Sequence, residues 1–421
     1  MSEQSTIRST GHTNRAGQKT RISSLVSLDV VQMAFLWLMI ASSWFVIIEP
    51  APYEILFLVV FCLMLPSGLK LHAAVIPMVL FLLAYNVGGA FSVLPVTEMK
   101  KTEQFIITSF YMAITAIFFA NAIADDTMKR VAVIKNAYII AAVLGSITGM
   151  IGYFNIGGMA EAWAPIQRAQ GTFKDPNVLS AFIIAPAIFL IQDFLLGRQR
   201  WPVFASLALL IIVAGLFFAF SRGAWVNAMA TGLMLVGLMF ILTPSIKLRS
   251  RIILLCLFGI IALIGLISIA LSFPSIRGLF IERANFFNSY DGGETGRFGN
   301  QLRSLPVLLQ SPNGLGPLQF SMYFGQDPHN VYINAFSSYG WLGGFSYLLL
   351  IFSTIAIGIK TIFSRTPWQA FAIAVWCPLF FTILQGVQID TDHWRHFYLL
   401  LGIMWGLYAA TVRHNRATKV A

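Results

Sequence analysis

Apolar runs of about 20 residues recur along almost the whole chain, and they limit the folds open to it. A run of that length crosses the hydrocarbon core of a bilayer as one helix. Hydrophobic residues make up 57% of the chain and charged residues 11%, against about 25% charged in soluble domains, which leaves no room for a separate soluble catalytic domain. We expect an all-α, polytopic integral membrane bundle of about 12 transmembrane helices. The predicted spans are roughly 30–48, 53–68, 71–90, 104–124, 131–151, 176–196, 201–220, 224–242, 251–273, 337–363, 368–388 and 394–412.

The distribution of charge orients these predicted spans. The net charge is +11, and in a membrane protein such an excess reflects cytoplasmic Lys and Arg rather than nucleic-acid binding. With the N-terminus inside, the short inner loops are basic, as in "GRQR" at 197–200 and "KLRSR" at 247–251. We therefore expect cytoplasmic tails at 1–28 and 413–421, a single transmembrane domain at 29–412, and long outer loops at 152–175 and 273–330.

The stretch "QGTFKDPNVLSA" at 170–181 predicts the start of a membrane helix. Asp175 suits the N-cap and Pro176 suits the first helical position. Lys174 and Asn177 would then lie at the positive end of the helix, where they could help to hold an anion. The alternative is that the stretch does no more than begin a helix.

The stretch "FSRGAWV" at 220–226 lies inside an apolar segment, 201–242, that is too long for one span. The segment must fold as a hairpin with Arg222 at its bend. A charge with wholly apolar flanks is costly at membrane depth and usually marks a site, and a guanidinium can grip phosphate oxygens with two hydrogen bonds. The alternative is an arginine that reaches out to lipid headgroups.

Two arginines lie in the stretch "DGGETGRFGNQLRSL" at 291–305 of the second outer loop. Apolar residues at helical spacing predict a helix over 295–310 that lies along the outer interface, with Thr295 as its cap. Arg297 would occupy the first turn, where a cation opposes the helix dipole unless an anion is its partner. Arg303 would lie on a different face. For either residue, the alternative is a solvated loop arginine.

The stretch "QDPHNVYINAFSSYGWLGG" at 326–344 joins polar residues to an apolar helix. Asp327 is the predicted N-cap, with Pro328 and His329 at the first two helical positions. The positive helix end would keep His329 neutral and able to accept a proton from a hydroxyl. Gly340 would fall three turns later on the same face, and Gly343 would let another helix approach closely. The alternative is a capped helix whose histidine binds headgroups.

The stretch "QIDTDHWRHFYLL" at 388–400 gathers titratable residues before the last predicted span. His393 and His396 could form a metal pair, but no third histidine is near. Cys62, Cys256 and Cys377 lie in apolar runs without metal-type spacing. We favour a cluster of His393, Arg395 and His396 at the outer interface that shapes or supports a site, and we expect no metal and no cofactor.

In combination these stretches resemble the O-antigen ligase and O-antigen polymerase family of bacterial envelope enzymes. The resemblance covers roughly 170–345. Its pieces are "GTFKDPN" (171–177), "SRGAW" (221–225), "TGR" (295–297), "PNGLGP" (312–317), and "HN" at 329–330 followed by nine residues and "GWLG" at 340–343. The stretch "DHWRHF" looks like a feature of exopolysaccharide members, which leaves ligase and polymerase both open.

The resemblance implies a polytopic helical glycosyltransferase of the GT-C type in the bacterial inner membrane, with its active site at the periplasmic face. Such an enzyme transfers a glycan from undecaprenyl diphosphate to an acceptor hydroxyl with inversion, needing neither metal nor nucleotide sugar. The acceptor is lipid A-core for a ligase in lipopolysaccharide biosynthesis and a growing lipid-linked glycan for a polymerase. A polysaccharide transporter or flippase is the alternative from another class.

The resemblance also implies roles for individual residues. His329 would be the general base, and Arg222 and Arg297 would bind the donor diphosphate, assisted by Arg303, Lys174 and Asn177. The implied supporting residues are Asp175, Asp327, Asn330, Gly340, Gly343, His393, Arg395 and His396.

Overall fold

In the computed structural model, the described residues are 27–96, 99–284, 293 and 296–420, and this part of the chain is helical with no strand. Residues 1–26 of the predicted N-terminal tail lie outside it, as does Thr295, and the N-cap of the helix that Thr295 is predicted to cap is Gly296. The α-helices are α1 Leu28–Ala41, α2 Pro52–Met64, α3 Ile76–Val93, α4 Met99–Asp125, α5 Thr127–Tyr153, α6 Ala160–Trp163, α7 Pro176–Leu196, α8 Pro202–Phe218, α9 Arg222–Leu242, α10 Ile246–Leu271, α11 Pro274–Ala284, α12 Arg297–Leu309, α13 Phe320–Phe324, α14 Val331–Ile362, α15 Gln369–Gln385 and α16 Arg395–Val420.

Each of the twelve predicted spans overlaps one of these helices. Within the described residues, seven helices are long and apolar enough to cross a membrane: α4, α5, α7, α9, α10, α14, and α3 with the short turn before it. Helices α1, α2, α8 and α15 are apolar but shorter. The chain therefore has the architecture of a polytopic helical membrane protein, and the count of twelve crossings stays a prediction. Helix α16 also continues through most of the predicted tail at 413–421, which holds no glycine or proline to end it.

Helix α10 shows most directly that the surroundings are apolar. After a basic beginning at 247–251, its residues are almost wholly hydrophobic, yet Ile252 is the one residue along the helix that is buried. Phe258 and Ile261 are about 70% exposed. A helix that is apolar on every face is stable only where that surface meets lipid or other protein.

Small residues bring the central helices together. A side chain at Gly88 of α3 would come within 2.5 Å of the carbonyl oxygen of Tyr339 in α14. Helices α16 and α4 approach each other as closely as α3 and α14 do. The close approach is possible because Gly402, which has no side chain, faces the backbone of Ala116. Close backbone approach through glycine is typical of helix pairs in membranes. The helix pairs α3–α14 and α4–α16 bring the beginning of α4 next to the segments that precede α14 and α16.

Charged side chains lie at the two ends of the bundle. At one end, Lys129 pairs with Asp29 and Lys135 pairs with Asp193. At the other end, Lys174 pairs with Glu49 and Arg395 pairs with Glu54. The sequence predicts the first pair of lysines to be cytoplasmic and Lys174 and Arg395 to be outside, so the structure separates the two groups as the charge pattern does. Which end faces the cytoplasm stays a prediction.

Candidate functional site

A cavity of about 590 Å³ opens at the end of the bundle that holds Lys174 and Arg395. Five segments of the chain meet around it: the loop after α1, the beginning of α4, the beginning of α7, the segment before α14, and the segment that leads into α16. Its lining includes Ser43, Glu49, Lys101, Gln104, Phe105, Thr108, Phe173, Lys174, Phe182, Phe320, Asp327, Pro328, Asn334, Asp390, Asp392, His393, Trp394, Arg395 and His396.

Ion pairs hold part of this wall together. The Nζ atom of Lys174 lies 2.5 Å from Oε1 of Glu49. The Nε–H of Arg395 donates to Oε1 of Glu54 at 2.6 Å, and a second nitrogen of Arg395 lies 4.0 Å from Glu49. Lys174 therefore faces the cavity with its charge paired, although the sequence predicts it to bind the donor anion.

His329 lies beside the cavity and faces a carboxylate. Its Nδ1 atom is 3.9 Å from Oδ2 of Asp390, and its side chain is 35% exposed. The backbone N–H of Asn330 donates to Oδ1 of Asp390 at 3.0 Å, which fixes the carboxyl group under the histidine. Burial and the nearby charge of Asp392 raise the pKa of Asp390 above its ordinary value.

The predicted helix start at Asp327 is wrong. Helix α14 begins at Val331, and the N-cap is Asn330, whose side chain accepts from the N–H groups of Tyr332 and Ile333. His329 precedes the cap and has a left-handed φ of 45°. The physical reason is tertiary: Gln301 of α12 donates to the carbonyl of Pro328 at 2.9 Å and holds this residue out of the helix. His329 therefore lies directly before the N-cap and not in the first helical turn.

The predicted alignment of Gly340 with His329 is also wrong. Gly340 has φ 65° and ψ −170°, so it interrupts α14 and breaks the helical count that the alignment assumed. A side chain there would lie 2.7 Å from the carbonyl oxygen of Pro312, in the segment "PNGLGP". Gly343 does face a neighbouring helix, since a side chain there would come within 3.3 Å of the carbonyl oxygen of Tyr85 in α3.

His393 bridges the cavity wall and α4. Its Nδ1 atom is 3.1 Å from Oδ2 of the buried Asp392, and its Nε2 atom is 3.0 Å from the carbonyl oxygen of Phe105. Both neighbours only accept hydrogen bonds, so the doubly protonated imidazolium fits this position. Burial alone would lower the pKa of His393, but Asp392 and the Phe105 carbonyl outweigh burial and raise it. Asn334 donates to the same carboxylate at 2.9 Å, which ties α14 to this bridge.

His396 also lies in the wall, as the second residue of α16. It is 4% exposed, its ring packs against Trp394 and Phe182, and no described residue is a hydrogen-bonding partner of its Nε2 atom. His393 lies before the helix begins, so the two histidines do not share a helical face. Among the described residues, no three His, Cys, Asp or Glu side chains come together as a group that could hold a metal ion.

Arg222 lies in a cluster of arginines at this end of the bundle. It is the first residue of α9, and Ser221 is the N-cap. Arg168 donates to the carbonyl oxygen of Ala219 at 2.8 Å and to Oδ1 of Asn177 at 2.9 Å. Burial lowers the pKa of Arg168 to about 10; Asp175 opposes this effect, while the charges of Arg283 and Arg222 add to it. No sequence pattern distinguishes Arg168 and Arg283 from solvated loop residues, so their place in this cluster is not predicted.

The helix start at Asp175 agrees with the prediction. Asp175 is the N-cap of α7, its side chain accepts from the N–H of Asn177 at 2.6 Å, and Pro176 is the first helical residue. Asn177, however, uses its side-chain oxygen to hold Arg168. Its contact with an anion would therefore be indirect, through that arginine.

Arg297 and Arg303 lie on different faces of α12. Arg297 is the first residue of the helix and precedes Gln301 by one turn, on the face that contacts the segment before His329. Arg303 is exposed and donates to Asn300 at 3.4 Å. The helix therefore places Arg297 on the side of His329. Arg303, which is also predicted to bind the donor diphosphate, lies on another face, away from His329.

Backbone contacts place Arg222 and His329 at the same end of the bundle. A side chain at Gly223 would lie 3.2 Å from the Nε2 atom of Gln385. The next residue, Gly386, accepts from the N–H of Val331 at 2.8 Å, two residues after His329. Of the predicted site residues, His393, Arg395 and His396 line the cavity. Arg222 and Arg297 do not belong to its lining.

No family model matches this chain, and a search of the curated proteins finds no match either. The resemblance to the O-antigen ligase and polymerase family therefore stays a prediction from the motifs.

Proposed function

We propose that this protein is a membrane glycosyltransferase that moves a glycan from undecaprenyl diphosphate to an acceptor hydroxyl, in the synthesis of bacterial cell-envelope polysaccharide. The observation that carries the proposal is the pairing of His329 with Asp390 beside a polar cavity at one end of an apolar helical bundle. The arginines at the same end supply the positive charge that a diphosphate needs.

The pair suits His329 to act as a general base. The Nδ1 atom faces the Asp390 carboxyl group at 3.9 Å, beyond hydrogen-bond distance, so Nε2 is the nitrogen that remains for the acceptor hydroxyl and accepts its proton in the neutral ring. The acceptor oxygen attacks the anomeric carbon as its proton passes to Nε2. The bond from that carbon to the diphosphate oxygen breaks, the electron pair stays on the diphosphate, and the anomeric centre inverts.

The arginines stabilise the leaving group in this reaction. Negative charge grows on the diphosphate as the glycosidic bond breaks, and fixed cations directed at that charge lower the barrier. Arg222 and Arg297 begin two helices at this end of the bundle, and Arg222 and Arg283 both lie close enough to Arg168 for their charges to lower its pKa. Arg303, on the exposed face of α12, is not part of this proposed set.

Transfer to lipid A-core and transfer to a second lipid-linked glycan use the same chemistry, so one experiment can distinguish a ligase from a polymerase. Purified protein in phosphatidylcholine nanodiscs would be incubated with lipid-linked glycan, with and without lipid A-core, and products identified by mass spectrometry. We expect a glycosylated acceptor together with an equal amount of undecaprenyl diphosphate. The proposal fails if neither condition releases undecaprenyl diphosphate.

A further inference from the structure

The cavity differs in charge from the arginine cluster beside it. Its wall sets the basic groups Lys101, Lys174, His393 and Arg395 against the carboxyl groups of Glu49, Asp327, Asp390 and Asp392. In the arginine cluster, by contrast, the charges of Arg222 and Arg283 both act on Arg168, which lies near Asp175. A balanced wall does not favour a dianion, whereas a cationic cluster does.

The volume of the cavity and the residues that line it fit an uncharged polar ligand. About 590 Å³ lies within the range of small-molecule sites, about 300–1,000 Å³. Amide and hydroxyl groups of Gln104, Thr108 and Asn334 line it next to the rings of Phe105 and Phe320. Such a mixture offers hydrogen-bond donors and acceptors together with apolar surface, which a sugar with its hydroxyl groups and C–H faces can use.

The first turns of α4 supply polar groups that the protein itself leaves unused. Lys101, Gln104 and Thr108 follow at spacings of three and four residues, so they form one helical face toward the cavity. Among the described residues, the side chains of Lys101 and Gln104 have no hydrogen-bonding or ionic partner. Both side chains are exposed where they line the cavity, so a ligand that enters the cavity can reach them.

The cavity also reaches the proposed base. Asp327, Pro328 and Asp390 belong to its wall, and Asp390 lies 3.9 Å from the Nδ1 atom of His329. A ligand that fills the cavity therefore ends next to this histidine.

We propose that the cavity binds the sugar end of the acceptor as an uncharged, hydroxyl-rich glycan, and that Lys101 and Gln104 on α4 select it. This inference rests on the proposed function, because it assigns the acceptor to one subsite and the donor diphosphate to the arginine cluster. Lys101 and Gln104 donate to sugar oxygens, and the carboxyl groups of Asp327 and Asp390 accept from sugar hydroxyls near His329.

Direct binding tests this assignment without any requirement for catalysis. The full chain would be placed in phosphatidylcholine nanodiscs, free of glycosidic detergent, and probed by saturation-transfer difference NMR with neutral disaccharides: maltose, lactose and chitobiose. Inorganic pyrophosphate, followed by ³¹P line broadening, is the probe for the arginine cluster. The variants are Lys101→Met with Gln104→Leu, Arg222→Ala, and Glu103→Gln as a matched control, since Glu103 is exposed on the same helix and lies outside the cavity lining.

We expect at least one disaccharide to bind the wild type and the Glu103→Gln variant, with affinity weakened about tenfold or more in the α4 double variant. Pyrophosphate binding should persist in that double variant and fall in Arg222→Ala. The inference is overturned if no disaccharide binds, if the double variant binds as the wild type does, or if pyrophosphate displaces the sugar. Loss of transfer activity with these binding results intact would count against the proposed function alone.

Discussion

His329 has a backbone conformation that few residues other than glycine adopt. A left-handed φ of 45° costs a non-glycine residue about 1–3 kcal/mol in unfavourable cases, and such residues concentrate at functional sites. The conformation follows from contacts on both sides, with Gln301 holding Pro328 and Asp390 holding the N–H of Asn330. The strain is thus compensated by long-range hydrogen bonds that also direct the imidazole toward Asp390.

Arg222→Lys should not support normal transfer, even though it keeps the positive charge. A lysine cannot reproduce the two parallel hydrogen bonds that a guanidinium makes to a diphosphate. Losing one charged hydrogen bond costs about 1.5–3 kcal/mol, or roughly tenfold or more in rate. Initial rates of release of undecaprenyl diphosphate would measure this, with the exposed Arg198→Lys as control. A wild-type rate for Arg222→Lys would make Arg222 a surface anchor only.

The His393 bridge should make stability depend on pH in one direction. Because the folded state raises the pKa of His393, its stabilising contribution is complete below the ordinary histidine pKa of about 6.5 and is lost as pH rises through the raised value. Thermal unfolding in nanodiscs should therefore show a fall in Tm from pH 6 to pH 9. The fall should be smaller in His393→Gln and unchanged in His414→Gln. Equal slopes in wild type and His393→Gln would contradict the charged bridge.

Helix α12 has an unusual arrangement of polar and apolar faces. Its buried face carries Asn300, Gln301 and Ser304, whereas Leu302 and Leu309 on the opposite face are each 70% exposed. An exposed apolar face suits a helix that lies at the lipid interface, as the sequence predicts for this segment. The polar face then turns toward the segment before His329, which explains how a loop helix can position Arg297.

Gly340→Ala should destabilise the protein, since the break in α14 requires glycine. The values φ 65° and ψ −170° lie in a region open almost only to glycine, with a cost of about 1–3 kcal/mol for other residues. The new methyl group would also lie 2.7 Å from Pro312 O. Thermal unfolding should show a lower Tm than wild type, while Gly237→Ala in α9, where nothing lies within 4 Å, should not. Equal Tm values for the two variants would show that α14 can straighten.

Local sequence predicted the helices well and the site only in part. Hydropathy and the Asp175–Pro176 pair specify where α7 begins, because cap and first turn are adjacent in sequence. The same pattern at Asp327–Pro328 misleads, since Gln301 and Asp390 decide that helix start from 26 and 63 residues away. The partnership of His329 with Asp390 and the cluster of Arg168 with Arg222 also depend on tertiary packing, which no local spacing reveals.

Opposite ends of the bundle should face opposite sides of the membrane. The charge pattern predicts that Arg416 is cytoplasmic and that Asp327, at the cavity, is periplasmic; both side chains are exposed. In a chain without Cys62, Cys256 and Cys377, a cysteine at 327 should react with an impermeant maleimide in intact cells. A cysteine at 416 should react only after permeabilisation. The reverse pattern would place the cavity in the cytoplasm and exclude a periplasmic reaction.

The proposed reaction depends most directly on His329, so its removal is the decisive measurement. His329→Ala changes a half-exposed side chain outside α14, and Asn330 keeps the helix cap, so folding and insertion should be preserved. Proton transfer by a positioned base contributes about 10²–10⁴-fold in rate. With purified protein, lipid-linked glycan and the acceptor identified for the wild type, we predict a loss of that size with donor binding intact. A wild-type transfer rate in His329→Ala would contradict the assignment of His329 as the base.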